Sequence, residues 1–355
     1  MAFPAPIWLA VQEELLGSIE PEEDYGSRSC FDGFTDEALF ETFHLSRPCI
    51  AFITEAVRVR LKSAAFKRSP LPADVMLMAA LNYYAHGLFT PAVQQKVPPV
   101  SLTTALSAVS GVIAGMSDVF ISFPLTVEAR SRTASKIQEL CGISDVLGVL
   151  APAHFKIRAS PYDKPSFKSF INVMGYTSVV SQFICDCEGN ILSVEKCCVG
   201  STFEQELWDS SFKGREVEED LHGAFWFIGG KGYKLSKHVL TPVSEPMSVR
   251  DVRFNEAHAK MDKVMQKMLW SMKTRFRCLQ QLGFAEETSL NKKSNIIKAC
   301  SVLHNIAKKF SVPLPPAAGK EELPYPGKPY SAPMEINHEA LRARQELIDR
   351  NFPNC

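Results

Sequence analysis

The amino-acid sequence predicts an α/β protein in which a helical region precedes a mixed sheet flanked by helices. Apolar residues recur at helical spacing through the first third of the chain. After about Ile143, short apolar and β-rich segments alternate with helical ones, which is typical of an α/β core. Two β-rich segments, Thr177–Cys185 and Ile191–Cys197, are separated by an acidic turn that contains glycine and favours a hairpin.

The helical region is expected to begin at Thr35, a suitable N-cap that Asp36 and Glu37 follow in the first turn. Carboxylates are favourable there because the N-terminus of a helix carries a partial positive charge. The spacing of apolar residues predicts three further helices, of which the last two could form a helix-turn-helix. Their expected bounds are Pro48–Leu61, Pro72–His86 and Ser101–Met116.

The sheet region combines short apolar runs, which indicate buried strands, with longer amphipathic stretches, which indicate helices. Ser201 or Thr202 is the expected N-cap of its first helix. The remaining expected elements are, in chain order, the strand Val146–Leu150, the helix Ser201–Phe212, the strand Ala224–Ile228 and the helices Asn255–Leu279 and Asn291–Phe310.

The composition predicts five segments along the chain. A stretch rich in proline, from Pro313 to Pro333, separates the sheet region from a last helix over Glu335–Phe352 and indicates a surface linker. The expected organisation is an N-terminal segment (1–34), a helical, helix-turn-helix-like domain (35–142), a sheet domain (143–310), a proline-rich linker (311–334) and a C-terminal helix (335–355).

Charge and cysteine content exclude several functional classes. The chain has 39 basic and 39 acidic side chains, so its net charge gives no general attraction to nucleic acid or membranes. Its ten cysteines include no CxxC pair and no zinc-type spacing, which favours free thiols in a reducing compartment. The uncharged stretches Val75–Gln95 and Val97–Ser117 contain polar residues and prolines, so buried helices are expected there rather than membrane spans. The first residues lack a secretion-signal pattern, so we expect no secretion.

Six segments, taken in order, resemble motifs of the Harbinger transposase-derived nuclease family, and the resemblance spans roughly residues 35–310. It implies an RNase H-like fold and, as the ancestral chemistry, phosphodiester cleavage by two divalent metal ions. Such ions activate water and stabilise the leaving oxygen, and they need several carboxylate ligands. The similar segments are residues 146–157, 170–178, 200–204, 229–233, the helix segments 254–258, 266–267 and 275–279, and residues 302–305.

The resemblance places neutral residues where this family has its catalytic acids. Ala151 and Gly230 stand at the two aspartate positions, and Gln266 stands at the glutamate position. Alanine and glycine offer no side-chain ligand, whereas glutamine offers an uncharged oxygen. A subsidiary acid is kept as Glu204, and Asp262 lies one helical turn before Gln266 on the same face. We therefore expect no functional catalytic residue, no cofactor and at most one weakly held Mg²⁺ or Mn²⁺ at Glu204 and Asp262.

The resemblance also implies that the polar Arg-Lys pair of the family is replaced by Val173 and Met174. His154 and His304 have no metal-ligand spacing and are expected to be hydrogen-bonded structural histidines. The acidic stretch Glu216–Asp220 is expected to be a solvated loop or a docking site for a basic partner.

Candidate DNA contacts are Lys231, in a glycine-containing loop, and the basic run that includes Lys273, Arg275 and Arg277. Phosphate contact is one interpretation of the run. A solvated face, on which arginine stems pack, is the other. The segment Ser101–Met116 has no lysine or arginine, which argues against independent recognition of a DNA sequence.

The leading hypothesis is therefore a domesticated, catalytically inactive transposase-like protein that acts through protein partners at chromatin. The resemblance implies a Myb/SANT-type DNA-binding partner or another nuclear protein, with indirect DNA contact and no membrane. The expected localisation is nucleus and cytoplasm, with nuclear entry dependent on the partner. The alternatives are a residual metal-dependent DNA nuclease and a DNA-binding regulator.

Overall fold

The computed structural model describes residues 29–63, 71–158, 165–219, 225–283, 289–317 and 337–353. Seven helices precede the first strand in these ranges, and none of the described helices is long and apolar enough to cross a membrane. The seven are α1 (Asp36–Phe43), α2 (Arg47–Ser63), α3 (Ala73–His86), α4 (Pro91–Gln94), α5 (Pro99–Ala114), α6 (Ser117–Phe120) and α7 (Val127–Cys141).

The predicted N-cap at Thr35 is confirmed, because its Oγ1 accepts a hydrogen bond from the Ala38 amide at 3.2 Å. The helices α2, α3 and α5 match the predicted ones to within two residues at each end. Proline at the start of α5 is tolerated because the first amides of a helix have no partner within it. The sequence did not predict α7, whose few buried residues give a weak periodic signal.

The described strands form a six-stranded mixed sheet in the order β3-β2-β1-β5-β6, with β4 also paired to β2. The pairs β1–β2 and β2–β3 are antiparallel, whereas β1–β5 and β5–β6 are parallel. The predicted α/β class and the β2–β3 hairpin are thus confirmed. The strands are β1 (Val146–Lys156), β2 (Ser178–Cys185), β3 (Ile191–Val194), β4 (Cys198–Val199), β5 (Trp226–Gly229) and β6 (Val239–Leu240).

Strand β1 is longer than predicted, because residues 151–156 stay in register with β2 as far as the pair Lys156–Ser178. Pro152 interrupts the local β-propensity at this point, and pairing with β2 overrides that weak signal.

Five helices and two short 3₁₀ helices complete the described fold. The long helix α10 begins six residues before its predicted start, because Ser248 and Asp251 form a capping box there. The five are α8 (Glu204–Ser210), α9 (Phe212–Glu218), α10 (Val249–Arg275), α11 (Leu290–Lys309) and α12 (His338–Asn351), and the 3₁₀ helices are Pro165–Phe170 and Arg277–Leu279.

Two predictions in the segment that follows β4 are wrong. The N-cap of α8 is Phe203 rather than Ser201 or Thr202. Residues 216–218 of the acidic stretch lie in α9 rather than in a loop, because the Ser211 hydroxyl caps a second helix by accepting from the Gly214 amide. Asp220 lies outside the described residues.

Apolar residues on the two faces of the sheet enter two separate cores. Val149 and Ala153 of β1 pack with the methionines of α10, and this core continues into the N-terminal helices. Leu150 of β1 packs on the other face with Phe227 and Trp208. Most of the predicted linker (318–334) and the first 28 residues of the predicted N-terminal segment lie outside the described residues, and the proposed division into domains stays a prediction.

Candidate functional site

The strand register places Ala151 and Gly230 side by side. Leu150 of β1 is paired with Gly229 of β5 in parallel, so Ala151, the next residue of β1, lies next to Gly230, the first residue after β5. Ala151 is half-buried, and it shares its face of β1 with Val149, towards α10. The sequence-predicted pair therefore comes together, on the face that α10 covers.

His258 connects α10 to this edge. Its Nε2 lies 3.0 Å from the Gly229 carbonyl oxygen, and its Nδ1 lies 3.4 Å from Oδ2 of Asp262. The imidazole is 2% exposed, whereas the Asp262 side chain is 40% exposed. Asp262 therefore lies near Ala151 and Gly230, and Gln266 is exposed one turn further along the helix.

Glu204 approaches the same loop from α8. It is buried, and its carboxylate lies against Gly232, where an added Cβ would come within 1.9 Å of Oε2. Glycine at position 232 is thus required by this close approach rather than by backbone angles. Trp208 of the same helix packs with the core on the face of the sheet opposite α10. Glu204 and Asp262 thus belong to helices on opposite faces.

The residues present do not fit a two-metal centre. No three His, Cys, Asp or Glu side chains within the described ranges are grouped so that they could hold a metal ion. Two acids remain. Asp262 is paired with His258, and Glu204 is packed against Gly232 in the loop that follows β5. A single weak ion at Glu204 and Asp262 stays a prediction.

The candidate DNA contacts divide into exposed and internal side chains. Lys231 is exposed in the loop that follows β5. Lys273 instead donates from Nζ to the His154 carbonyl oxygen at 3.0 Å, and its ammonium lies 5.4 Å from the centre of the Phe155 ring. Arg277 is half-buried and donates to the Pro316 carbonyl oxygen at 3.0 Å.

Arg275 is an internal structural residue, and its predicted DNA contact is wrong. Only 3% of it is exposed. Its guanidinium donates to the carbonyl oxygens of His44 at 2.6 Å and Val312 at 2.7 Å. Burial lowers the pKa of Arg275 to about 10. The side chain points inward because it continues the buried stripe of α10 one turn beyond Met272.

The structural roles predicted for His154 and His304 are confirmed. Nδ1 of His154 lies 3.0 Å from the Ser178 hydroxyl, and Nε2 of His304 lies 3.2 Å from the Gly189 carbonyl oxygen. Burial lowers the pKa of each imidazole to about 4. Both rings are therefore neutral near pH 7, and each forms a hydrogen bond within the fold.

Val173 and Met174 are both exposed on an ordered turn. Asn172 holds this turn, because its Oδ1 accepts from the Met174 amide at 2.9 Å and its Nδ2 donates to the Ser178 hydroxyl at 3.0 Å. The resemblance implies a polar pair at these two positions, whereas this protein has two exposed apolar side chains there.

His258 and Gly232 matter to the site, although the sequence assigned neither a role. The spacing of His258 four residues before Asp262 was available as a signal, since such residues share a helix face. The contact between Gly232 and Glu204 joins residues distant in the chain and has no local signal.

Comparisons with known proteins find similarity to nuclease-type proteins. Residues 153–305 match the model of the DDE superfamily endonuclease family. The protein named "Putative nuclease HARBI1" of Xenopus laevis is 28% identical over 324 residues, which cover 90% of this chain and 92% of the relative. The Homo sapiens protein of the same name is 27% identical over 325 residues, with the same coverage. No solved structure matches the chain.

Proposed function

We propose that this protein keeps a nuclease-type fold without cleaving DNA. Its similarity to proteins named putative nuclease, and the match of residues 153–305 to the DDE superfamily endonuclease family, support the fold. Its function is to bind other proteins. The observation that carries this proposal is the neutral pair formed by Ala151, in the middle of β1, and Gly230, directly after the end of β5, on the side of the sheet that α10 covers.

The chemistry of the ancestral reaction supports the loss of activity. Two dications about 3.5–4 Å apart require several anionic oxygens, since their charge must be neutralised. Position 151 supplies a methyl group, position 230 supplies no side chain, and Gln266 supplies a neutral amide. Asp262 contributes one carboxylate, already paired with His258. Glu204 belongs to the helix on the opposite face of the sheet, so Asp262 is the one carboxylate on the side of α10, which is too little charge for two metal ions.

Restoring the acids tests the proposal directly. The triple variant Ala151→Asp, Gly230→Asp, Gln266→Glu introduces three carboxylates at the vestigial positions. The fold has room for them: no atom lies within 4 Å of a Cβ added to Gly230, Gln266 is exposed, and Ala151 is half-buried. We expect this variant to bind Mn²⁺ in isothermal titration, whereas the native chain shows no pair of tight sites and leaves plasmid DNA intact.

The matched control is the double variant Ala151→Asn, Gly230→Asn, which adds the same shapes without charge. It should bind Mn²⁺ no better than the native chain. Two tight Mn²⁺ sites in the native chain, with DNA cleavage abolished by Glu204→Ala, would overturn the proposal. Failure of the acidic variant alone to bind metal would show that positions 151, 230 and 266 do not form the vestigial site.

A Myb/SANT-type DNA-binding protein is the partner class we propose, as the family resemblance implies, and nuclear entry would depend on it. The neutral net charge and the burial of Arg275 support DNA contact through a partner rather than through this chain. Expression of the tagged chain with and without such a protein tests this: the nuclear fraction should rise with the partner. An equal nuclear fraction in both conditions would contradict it.

A further inference from the structure

A groove of about 750 Å³ lies beside the edge strand β3, on the far side of β2 and β1 from β5 and Gly230. The sheet edge forms its floor. Helices α8 and α9 form one wall, and the segment that follows α6 forms the other. Sheet edges in grooves are of interest because an extended peptide can add a strand there.

At one end of β3 the outward backbone groups are hydrogen-bonded to a side chain, and at the other end they face the groove. The Asn305 side chain bonds both backbone groups of Ile191, accepting from its N–H at 2.9 Å and donating to its carbonyl at 2.8 Å. Further along, the Glu195 amide donates to the Gln182 carbonyl of β2 at 3.0 Å. Successive residues of an extended chain face opposite sides. The backbone groups of Val194, at the end of β3, and of Lys196, two residues beyond it, therefore flank the bonded Glu195 and are directed away from β2, towards the groove that both residues line.

The side chains around this open edge carry an excess of positive charge. Glu195 is used internally, because its carboxylate accepts from the backbone amides of Phe212 at 3.3 Å and Lys213 at 3.1 Å. Lys213 in turn pairs with Glu216. Three more cations line the groove and form no ion pair within the described part of the chain, against one further acid lining it, Asp118. These cations are Lys196, Arg215 and Lys298.

Apolar side chains stand at the rim of the same groove. Leu125 is 68% exposed on one wall, and Phe212 is 62% exposed on the other. Phe123 and Leu192 lie deeper and are largely buried. Covering the two exposed side chains would remove apolar surface from water, which favours a ligand that is itself partly apolar.

We propose that this groove binds an extended segment of a partner protein in which carboxylates alternate with apolar residues. The segment adds a strand at Val194 of β3 and at Lys196 just beyond it. Its carboxylates pair with the three cations of the groove, and its apolar side chains cover Leu125 and Phe212. The inference rests on the proposed role in protein binding and specifies the chemistry of the partner.

The probe is a short fluorescein-labelled peptide in which glutamate and valine alternate, titrated against the full chain by fluorescence polarisation. Two matched peptides accompany it: one with lysine in place of glutamate, and one in which every backbone amide is N-methylated, so that neither edge of the strand can donate hydrogen bonds. We expect saturable binding of the acidic peptide only. Hydrogen exchange at the amides of Val194 and Lys196 should slow when it binds.

The charge-reversed variant Lys196→Glu, Arg215→Glu, Lys298→Glu should weaken binding of the acidic peptide by about tenfold or more, since three ion pairs become repulsive contacts. Its control makes the same change in charge on α10, with Lys260, Lys263 and Lys267 replaced by glutamate. These lysines are exposed and lie outside the groove. The control should bind the peptide like the native chain.

Equal binding by the two variants, no binding at all, or equal binding of the N-methylated peptide would overturn strand addition in the groove. Duplex DNA that displaces the acidic peptide, and whose binding the groove variant alone weakens, would make nucleic acid the ligand and would also overturn it. DNA cleavage by the native chain would defeat the proposed loss of activity while leaving the peptide result intact, so the two failures are distinguishable.

Discussion

Replacing Arg275 with methionine removes a guanidinium that joins three parts of the chain. Arg275 ends α10 and donates to His44, the C-cap of α1, and to Val312, which follows α11. Methionine has a similar length and suits the apolar surroundings, but it donates no hydrogen bond. The two carbonyl oxygens would then be buried without their charged partner.

The magnitude follows from these two contacts. A hydrogen bond to a charged group contributes about 1.5–3 kcal/mol, so the pair contributes roughly 3–6 kcal/mol. Part of this is offset, because the guanidinium is desolvated and no ion pair stabilises it within the described ranges, as its lowered pKa of about 10 indicates. We therefore expect Arg275→Met to lower the free energy of unfolding by about 3 kcal/mol.

Urea unfolding followed by circular dichroism measures this change, and fluorescence anisotropy with duplex DNA measures any effect on binding. Lys267→Met is the matched control, since Lys267 is an exposed cation on the same helix. Its effect on stability should stay within about 0.5 kcal/mol. An unchanged midpoint for Arg275→Met, together with a tenfold loss of DNA affinity, would refute the inward placement of this side chain.

Two further predictions concern pH and the glycine loop. The folded-state pKa of about 4 for His154 and for His304 lies below the ordinary value of 6.5, so the unfolded chain binds more protons between these values. Stability is thus fully present above pH 6.5 and falls as the pH drops towards 4, by about 2 kcal/mol per histidine at pH 5. Thermal melts from pH 7 to 5 check this, and a flat profile would contradict it. Gly232→Ala should lower the melting temperature by several degrees, because the new methyl group collides with Glu204. Gly230→Ala should leave it unchanged, because that position is open, and equal melting temperatures for the two variants would show that the close contact is absent.

Local patterns predicted most of the helices, and tertiary contacts decided the features that they missed. Thr35 and the periodicity of α2, α3 and α5 act within a few residues, so the sequence alone reveals them. Strand β1 is longer than its apolar run because residues 149–156 pair with the whole of β2. The start of α8 also escaped local reasoning, because Phe203, whose side chain offers no capping oxygen, is the N-cap there.

Arg275 shows why residue type misled the prediction of DNA contacts. The methionine stripe of α10 continues through Met268 and Met272, and the next position at helical spacing is 275. Periodicity alone would have placed this residue inside. Its charge favoured an outward position, and only the fold reveals the carbonyl oxygens of His44 and Val312 that satisfy it.

The adjacency of positions 151 and 230 could be predicted from the family resemblance, whereas the fate of the remaining acids could not. Asp262 is paired with His258, and Glu204 of α8 is packed against Gly232. Converging carboxylates without a metal ion repel one another and raise each other's pKa. With Ala151, Gly230 and Gln266 in place of acids, that repulsion is absent. This part of the sheet therefore needs no metal ion to offset such repulsion, which is consistent with the proposed loss of catalysis.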